Sequence, residues 1–457
     1  MYFVHNKTVA VVGLGRSGVA AARLLSVRGA KVVVSDDKSP DKLSDWLEPL
    51  KGLPVTLALG GITPEVLGRC DLVVVSPGVP ARHPALESAR AQGIPVIGEL
   101  ELAYAFCAAP LVAITGTNGK TTTTALTAHL IQAGGKKALA CGNIGRPFAD
   151  AVFELTAEDW AVVEVSSFQL ETMVKFRPQV GALLNLTPDH LDRHGSMQAY
   201  VEAKARLFEN QEPGDAALLN TRDKYTPLLS SMVKSKLHLF GFPGGAGIED
   251  RPGCYVVGDH LELFGRRLMA ASDLRLPGPH NLENACAAAL AASLAGVPDG
   301  VLATALAEFH AVEHRLEEAG TVGGVRFIND SKGTNVDSVE KALMSFDRPL
   351  VLILGGRDKA GDFAVLGPLV REKVTRIIAL GEAKAKVARQ LSDAAPVVEA
   401  QSLEEAVRGA YAASEPGGTV LFSPGCASFD MFKNYEDRGR QFKARVKDLA
   451  EAKAAKT

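Results

Sequence analysis

The stretch Ala113-Ile114-Thr115-Gly116-Thr117-Asn118-Gly119-Lys120-Thr121-Thr122 decides how the rest of the chain is read. Leu111 to Thr115 reads as an apolar strand, the glycines as a loop, and the residues from Lys120 to Gly134-Gly135 as a helix. Strand, glycine loop and helix in that order make a phosphate cradle, one residue shorter than the GxxxxGK[ST] form. Gly116 and Gly119 let backbone N–H groups turn toward an anion, and the helix N-terminus adds its positive dipole. Lys120 supplies a point charge for terminal phosphates, and the Thr121 hydroxyl suits Mg2+. A bare strand-to-helix turn with a solvated lysine would explain none of this order.

Upstream, Lys7 to Val12 is an apolar run ending at Gly13-Leu14-Gly15-Arg16-Ser17-Gly18, and a second strand, Lys31 to Ser35, delivers Asp36 and Asp37 at its carboxyl end. Such a βαβ unit serves any pyrophosphate, that of a nicotinamide dinucleotide as well as that of a UDP-sugar. Leu72 to Val75 and Pro95 to Ile97 add strands and close a small parallel domain near residue 98. Beyond the phosphate loop, strands are expected at Trp160 to Val165 and Gly181 to Asn185, with a helix at the alanine-rich Ala285 to Ala295. Leu237 to Leu274 alternates polar and apolar residues and suggests a few antiparallel strands. The chain changes character around Ala311 to Gly324, and a third series follows at Val325 to Asn329, Leu350 to Leu354, Arg376 to Leu380 and Thr419 to Phe422. The fold class expected is α/β in three domains: 1–98 Rossmann-like, 99–311 of the P-loop ATPase type, and 312–457 again Rossmann-like. The length of 457 residues agrees, since one core usually stops growing at roughly 250–300.

Composition narrows the function classes. Hydrophobic residues make up 47% and charged residues 22%, the balance of a soluble enzyme, and a net charge of −2 argues against broad attraction to nucleic acid or membrane. No run of about 18 apolar residues occurs, and MYFVHNKTVAVVGLG lacks the order of a secretory signal, so a cytoplasmic protein without membrane insertion is expected; the expected oligomeric state is a monomer. The six cysteines form no CxxC pair and read as buried thiols in a reducing compartment.

Three further residues carry chemistry. Glu164 closes the strand beginning at Trp160, where a carboxylate can hold Mg2+ beside phosphates. His190 lies in the polar loop expected over Thr187-Pro188-Asp189-His190-Leu191-Asp192-Arg193-His194, as a second metal ligand or as a hydrogen-bonded structural histidine. Lys204 belongs to a helix expected over Tyr200 to Asn210, where a lysine is ordinarily solvated.

Several longer motifs accompany these residues: CGNIG from Cys141, EVSSFQLE from Glu164, LNLTPDHLDRH from Leu184, AYVEAK ending at Lys204, GPHNLENACAA from Gly278, EHRLE from Glu313, NDSKGTN from Asn329 and SPGCASFDMFKNYEDRG from Ser423. Together they resemble the bacterial Mur ligase family over essentially the whole chain, most closely the branch that adds D-glutamate to UDP-N-acetylmuramoyl-L-alanine. The resemblance implies that ATP converts the substrate carboxylate to an acyl phosphate, which the incoming amine attacks to give an amide, ADP and phosphate, in peptidoglycan precursor synthesis. It also implies that Gly116, Thr117, Asn118, Gly119, Lys120, Thr121 and Thr122 hold ATP. Thr121 and Glu164 would serve one Mg2+ ion, and His190 with Lys204 a second, with Mn2+ able to substitute. Lys204 matches a lysine that is carbamylated in the family, which turns a cation into a carboxylate-like ligand.

By the same resemblance, Asn281 and Asn284 contact ATP, and Arg315, Asp330 and Lys332 bring nucleotide contacts from the last domain. Asn143 and His190 position the substrate at its reacting carboxylate, while Thr334, Lys359, Ser428 and Tyr435 receive the amino acid. Tyr435 stands where relatives often carry phenylalanine, which keeps the ring platform. Ser17, Asp36 and Lys38 align with the loops for the uridine diphosphate end. Lys38 replaces an arginine seen in some relatives, leaving a point charge in place of a bidentate fork.

Overall fold

The computed structural model describes residues 3–143, 145–245, 252–310, 312–346, 349–358 and 361–454. The chain forms two compact units, the first from Met1–Leu186, His194–Met269 and Ala285–Leu306, the second from Thr187–Arg193, Ala270–Asn284 and Ala307–Thr457.

The first unit holds two sheets. The smaller has five parallel strands in the order Val55–Leu59, Lys31–Asp36, Thr8–Val12, Leu72–Val75, Val96–Gly98. A continuous apolar run such as LVVV at Leu72–Val75 suits a strand covered on both faces. Strand order reverses on either side of Thr8–Val12, and the Gly13 turn leaves that strand's carboxyl end, where open α/β sheets place ligands. The larger sheet has nine strands, with Leu111–Thr115 lying parallel between Trp160–Glu164 and Val180–Leu183. Three carboxyl ends therefore meet at the phosphate loop. At its far edge Gly253–Val257 and His260–Leu263 form the expected antiparallel pair, although Gly253–Val257 itself joins Lys236–Gly241 in parallel.

Two local expectations shift for identifiable reasons. The strand expected to reach Asn185 stops at Leu183, because Asn185 turns to hold the phosphate loop. The helix expected over Tyr200 to Asn210 runs from Met197 to Ala205, since the Ser196 hydroxyl caps its start through Ala199 N (3.2 Å) and a 3-10 turn, Arg206–Phe208, follows.

Within the first unit the two sheets are joined by a buried carboxylate. Glu99 accepts from Ala149 N (2.7 Å), and its other oxygen has no hydrogen-bond partner among the described residues. Burial pushes its carboxyl up to about 7, with Asp150 adding to the rise.

The second unit carries six strands in the order Glu317–Val322, Val325–Asn329, Thr419–Phe422, Leu350–Leu354, Val374–Ala379, Val397–Glu399. The first pair is antiparallel and the remainder parallel. The helix Tyr435–Ala454, which follows the last strand of this series, packs Phe442 onto Phe422 with ring centroids 4.5 Å apart. All six cysteines are free thiols.

Candidate active site

The phosphate loop enters the helix Lys120–Ala133 through Gly119, whose φ of 85° a glycine adopts without steric cost. No acidic residue lies in that helix's first turn, so no carboxylate there competes with an anionic ligand for the dipole. The Lys120 ammonium curls over the loop and donates to Gly116 O (2.8 Å) and Thr117 O (2.7 Å).

Three side chains from elsewhere brace this loop. Asn185 accepts from Thr117 N through its backbone carbonyl (2.9 Å) and from Asn118 N through Oδ1 (2.8 Å), and its Nδ2 donates to Asn118 O (3.0 Å). The Tyr200 hydroxyl lies 3.1 Å from Thr117 Oγ1. Lys204 is only 2% exposed, and it donates to Thr115 Oγ1 (3.2 Å) and Gly116 O (2.9 Å) with its ammonium 5.0 Å from the Tyr200 ring centre. The solvated alternative for Lys204 is thereby set aside. Asn185 and Tyr200 escaped the sequence reading; the available signal for Tyr200 was its place four residues before Lys204, on the same helix face.

Glu164, buried at its strand end, accepts from Thr121 Oγ1 on one oxygen and from Asn143 Nδ2 on the other, each at 2.8 Å. Asn143 N also donates to Glu164 O (2.9 Å). A side chain at Gly142, whose φ is 101°, would bring a Cβ within 2.3 Å of that carbonyl, so the two strands' loops can meet only over glycine. One carboxylate thus links the phosphate-loop hydroxyl to the CGNIG loop. A threonine hydroxyl beside a buried carboxylate is a hard oxygen donor set, which fits Mg2+.

In the five-stranded sheet, Asp36 accepts from Leu14 N (2.6 Å) and Lys38 N (2.8 Å). Its carboxylate therefore ties the glycine turn to its own loop. Ser17 is half-buried in the first turn of Arg16–Val27, and Lys38 is exposed. Arg16 Nη1 donates to Gly145 O (3.0 Å), joining this turn to the CGNIG loop.

The second unit holds the remaining residues. Asp330 and Ser428 follow the neighbouring strands Val325–Asn329 and Thr419–Phe422, and both are buried. Burial pushes the Asp330 carboxyl up to about 6, against the pull of Arg315 and of a 2.7 Å hydrogen bond from Ser423 Oγ. Arg315 stands between His314 (φ 66°) and Leu316 (φ 44°), and His190 (φ 53°) is also left-handed. Five non-glycine residues among those described adopt this backbone, so three of them fall in two motifs, and strain held in place is a mark of ligand sites. Asn284 Nδ2 donates to Asn281 Oδ1 (3.0 Å), and Asn281 Nδ2 to Pro277 O (2.6 Å), which presets the amide pair. The Lys332 ammonium lies 4.9 Å from the centre of the Tyr435 ring. Thr334 is half-buried, and Lys359 lies outside the described residues.

Sequence reasoning also missed Arg438. Its buried guanidinium donates to Ser331 Oγ (3.0 Å) and Ser331 O (2.6 Å), and to Cys426 O (3.1 Å) and Ala427 O (3.3 Å). One cation thus fastens the loop of Asp330 and Lys332 to the loop of Ser428, and burial pulls its pKa down to about 10. Among the described residues, one trio of His and acidic side chains is close enough to hold a metal: Glu313, His314 and Glu317. Lys443 Nζ already sits 2.6 Å from Glu313 and 2.8 Å from Glu317, so an ammonium balances those carboxylates.

A glycine cradle on a strand–helix junction and a buried carboxylate on the adjacent strand end of a largely parallel sheet define a P-loop nucleotide-binding protein. Three family models match the chain: the Mur ligase MurD-like N-terminal domain over residues 7–98, the Mur ligase middle domain over 114–292, and the Mur ligase glutamate ligase domain over 314–426. A UDP-N-acetylmuramoylalanine--D-glutamate ligase of Koribacter versatilis is 45% identical over 98% of this chain and 99% of its own length. One of the same description from Pelotomaculum thermopropionicum is 46% identical over 97% and 98%. The chain belongs to the Mur ligase family. Among solved structures, a pseudomurein peptide ligase type C of Methanothermus fervidus shares the fold with a TM-score of 0.63 at 20% identity, covering 97% of this chain and 100% of the other. A UDP-N-acetylmuramate-alanine ligase of Thermotoga maritima does so with a TM-score of 0.62 at 21% identity, covering 97% and 100%.

Proposed function

We propose that this protein is an ATP-dependent amide ligase of the cytoplasm that joins the amine of D-glutamate to the terminal carboxylate of UDP-N-acetylmuramoyl-L-alanine, through an acyl phosphate, with release of ADP and phosphate. The observation that carries the reading is the chain Thr121–Glu164–Asn143, in which a single buried carboxylate ties the phosphate loop to a loop suited to the accepting substrate. Full-length likeness to D-glutamate ligases supports the choice of amino acid.

In this reading residues 1–98 receive the uridine diphosphate end at Ser17, Asp36 and Lys38, residues 99–311 bind ATP, and residues 312–457 bring the amino acid. Lys120 and the first-turn N–H groups neutralise the phosphates, and Asn281, Asn284, Arg315, Asp330 and Lys332 complete the nucleotide site. Thr334, Lys359, Ser428 and Tyr435 orient D-glutamate, so that its amine and not water meets the acyl carbon. Thr121 and Glu164 would hold one Mg2+, and His190 with Lys204 a second, with Mn2+ able to substitute. When bound, these ions draw charge from the transferring phosphoryl group. Lys204 serves as a carbamate: a buried ammonium would repel a cation, whereas the carbamate presents anionic oxygens. The protein acts as a monomer.

Phosphate release measured with each substrate omitted in turn tests this. It is expected to require ATP, UDP-N-acetylmuramoyl-L-alanine and D-glutamate together; equal rates with L-glutamate, activity only on a folate, or tight NADH binding without ATP turnover would refute it. Lys359→Ala should raise the D-glutamate KM by roughly 10-fold to 150-fold, the weight of one charge-assisted contact, while disturbing ATP binding less.

A further inference from the structure

His190 does not hold its strained backbone unaided. Its N–H donates to Asp189 Oδ1 (3.0 Å), and its ring Nε2 lies 3.7 Å from Asp189 Oδ2. Asp189 Oδ2 in turn accepts from Asn335 Nδ2 (3.2 Å), within the second unit. Asn335 is the N-cap of the helix Val336–Met344, and its Oδ1 accepts from Ser338 N and Ser338 Oγ, both at 2.8 Å. Those two donors decide which end of the amide is oxygen, so the end facing Asp189 must be the NH2. Each Asp189 oxygen then has its own donor, one from the helix cap and one from the His190 backbone. The carboxylate cannot rotate without losing both.

We infer that Asn335 is a positioning residue for the reaction: acting through Asp189, it sets the backbone and ring of His190, so that the helix cap beside Thr334 governs how His190 is presented. The inference rests on the reading of His190 as a metal and substrate ligand. A residue that only capped a helix would have no use for a donor aimed at a carboxylate 146 positions away in the chain.

The test uses the full chain and the variants Asn335→Asp, Asn335→Asp with Asp189→Asn, and His190→Ala. Asn335→Asp keeps an acceptor for Ser338 N, so the helix cap persists, but it sets two carboxylates face to face, which lowers the melting temperature somewhat. The turnover number is expected to fall roughly 10-fold to 100-fold, and the Mg2+ concentration for half-maximal rate to rise. In metal-free protein the His190 amide resonance should move. The double variant exchanges donor and acceptor between the two positions while leaving an oxygen for His190 N, and should return both resonance and rate to near the parent values. An unshifted resonance and parental rate in Asn335→Asp, or a double variant no better than the single, would overturn the inference. Full activity of His190→Ala would instead sink the assigned role of His190, and with it the premise, so the two failures are told apart.

Discussion

The phosphate loop of the first unit and the paired loops of Asp330 and Ser428 in the second solve opposite problems. Around Lys120 the cation sits at a helix start that has no acidic residue in its first turn, and the ammonium donates to two carbonyls of its own loop. Around Arg438 the charge is consumed internally, with four donor contacts to Ser331, Cys426 and Ala427 in a buried setting. On the proposed function the first cation serves the chemistry, whereas the second serves the architecture. A buried cation survives where carbonyl dipoles satisfy its donors, and that need makes it rigid.

The sharpest way to break this contrast is to remove each cation. Lys120→Ala should lower turnover by roughly 10²-fold to 10³-fold, the loss expected for one preorganised transition-state contact. Its unfolding free energy should fall by less than about 2 kcal/mol, since ordinary hydrogen bonds to loop carbonyls go. Steady-state phosphate release and calorimetry would check the pair, and intact turnover would remove Lys120 from the phosphate site. Arg438→Met should behave in reverse, with stability down by about 2–4 kcal/mol because buried carbonyls lose their donors. Any activity that remains should show raised KM values for nucleotide and amino acid together, as both loops loosen. A variant as stable as the parent would show that Arg438 is not the strut described.

Glu99 extends the contrast to a buried charge with one oxygen unsatisfied. Its folded pKa, about 7 against an ordinary 4.5, means that the folded state holds this proton to higher pH than the unfolded chain does. The contribution is fully present below about pH 4.5 and is lost as pH rises through 7. Glu99→Gln has no such proton to lose, so at pH 8 it should gain roughly 2–3 kcal/mol on the parent, a difference that vanishes toward pH 4. Melting curves across this range decide it, and a gap that does not change with pH would show that Glu99 does not titrate there. The smallest effect belongs to Lys38. Being exposed, Lys38→Ala should leave stability within about 0.5 kcal/mol while raising the KM for the UDP-sugar substrate a few-fold. An unchanged KM would take Lys38 out of that site.

What could be read from the chain alone was whatever repeats or recurs within a short span. The strands Leu111–Thr115, Leu72–Val75, Leu350–Leu354 and Thr419–Phe422 lie where their apolar runs placed them, and the helix from Lys120 ends at its paired glycines. Motif order gave the phosphate cradle and the strand-end position of Glu164 for the same reason: glycine turns and helix starts are local chemistry. Only the tertiary structure decided what holds these pieces. Asn185 bends away from its strand to hold the phosphate loop, and Lys204 is buried against Thr115, 89 residues earlier. Arg438 meets Ser331 across 107 residues, and Asn335 meets Asp189 across 146. Periodicity and propensity carry information over one or two turns of chain, whereas a buried polar group takes its partner from whichever loop the sheets bring beside it, and that choice has no local trace.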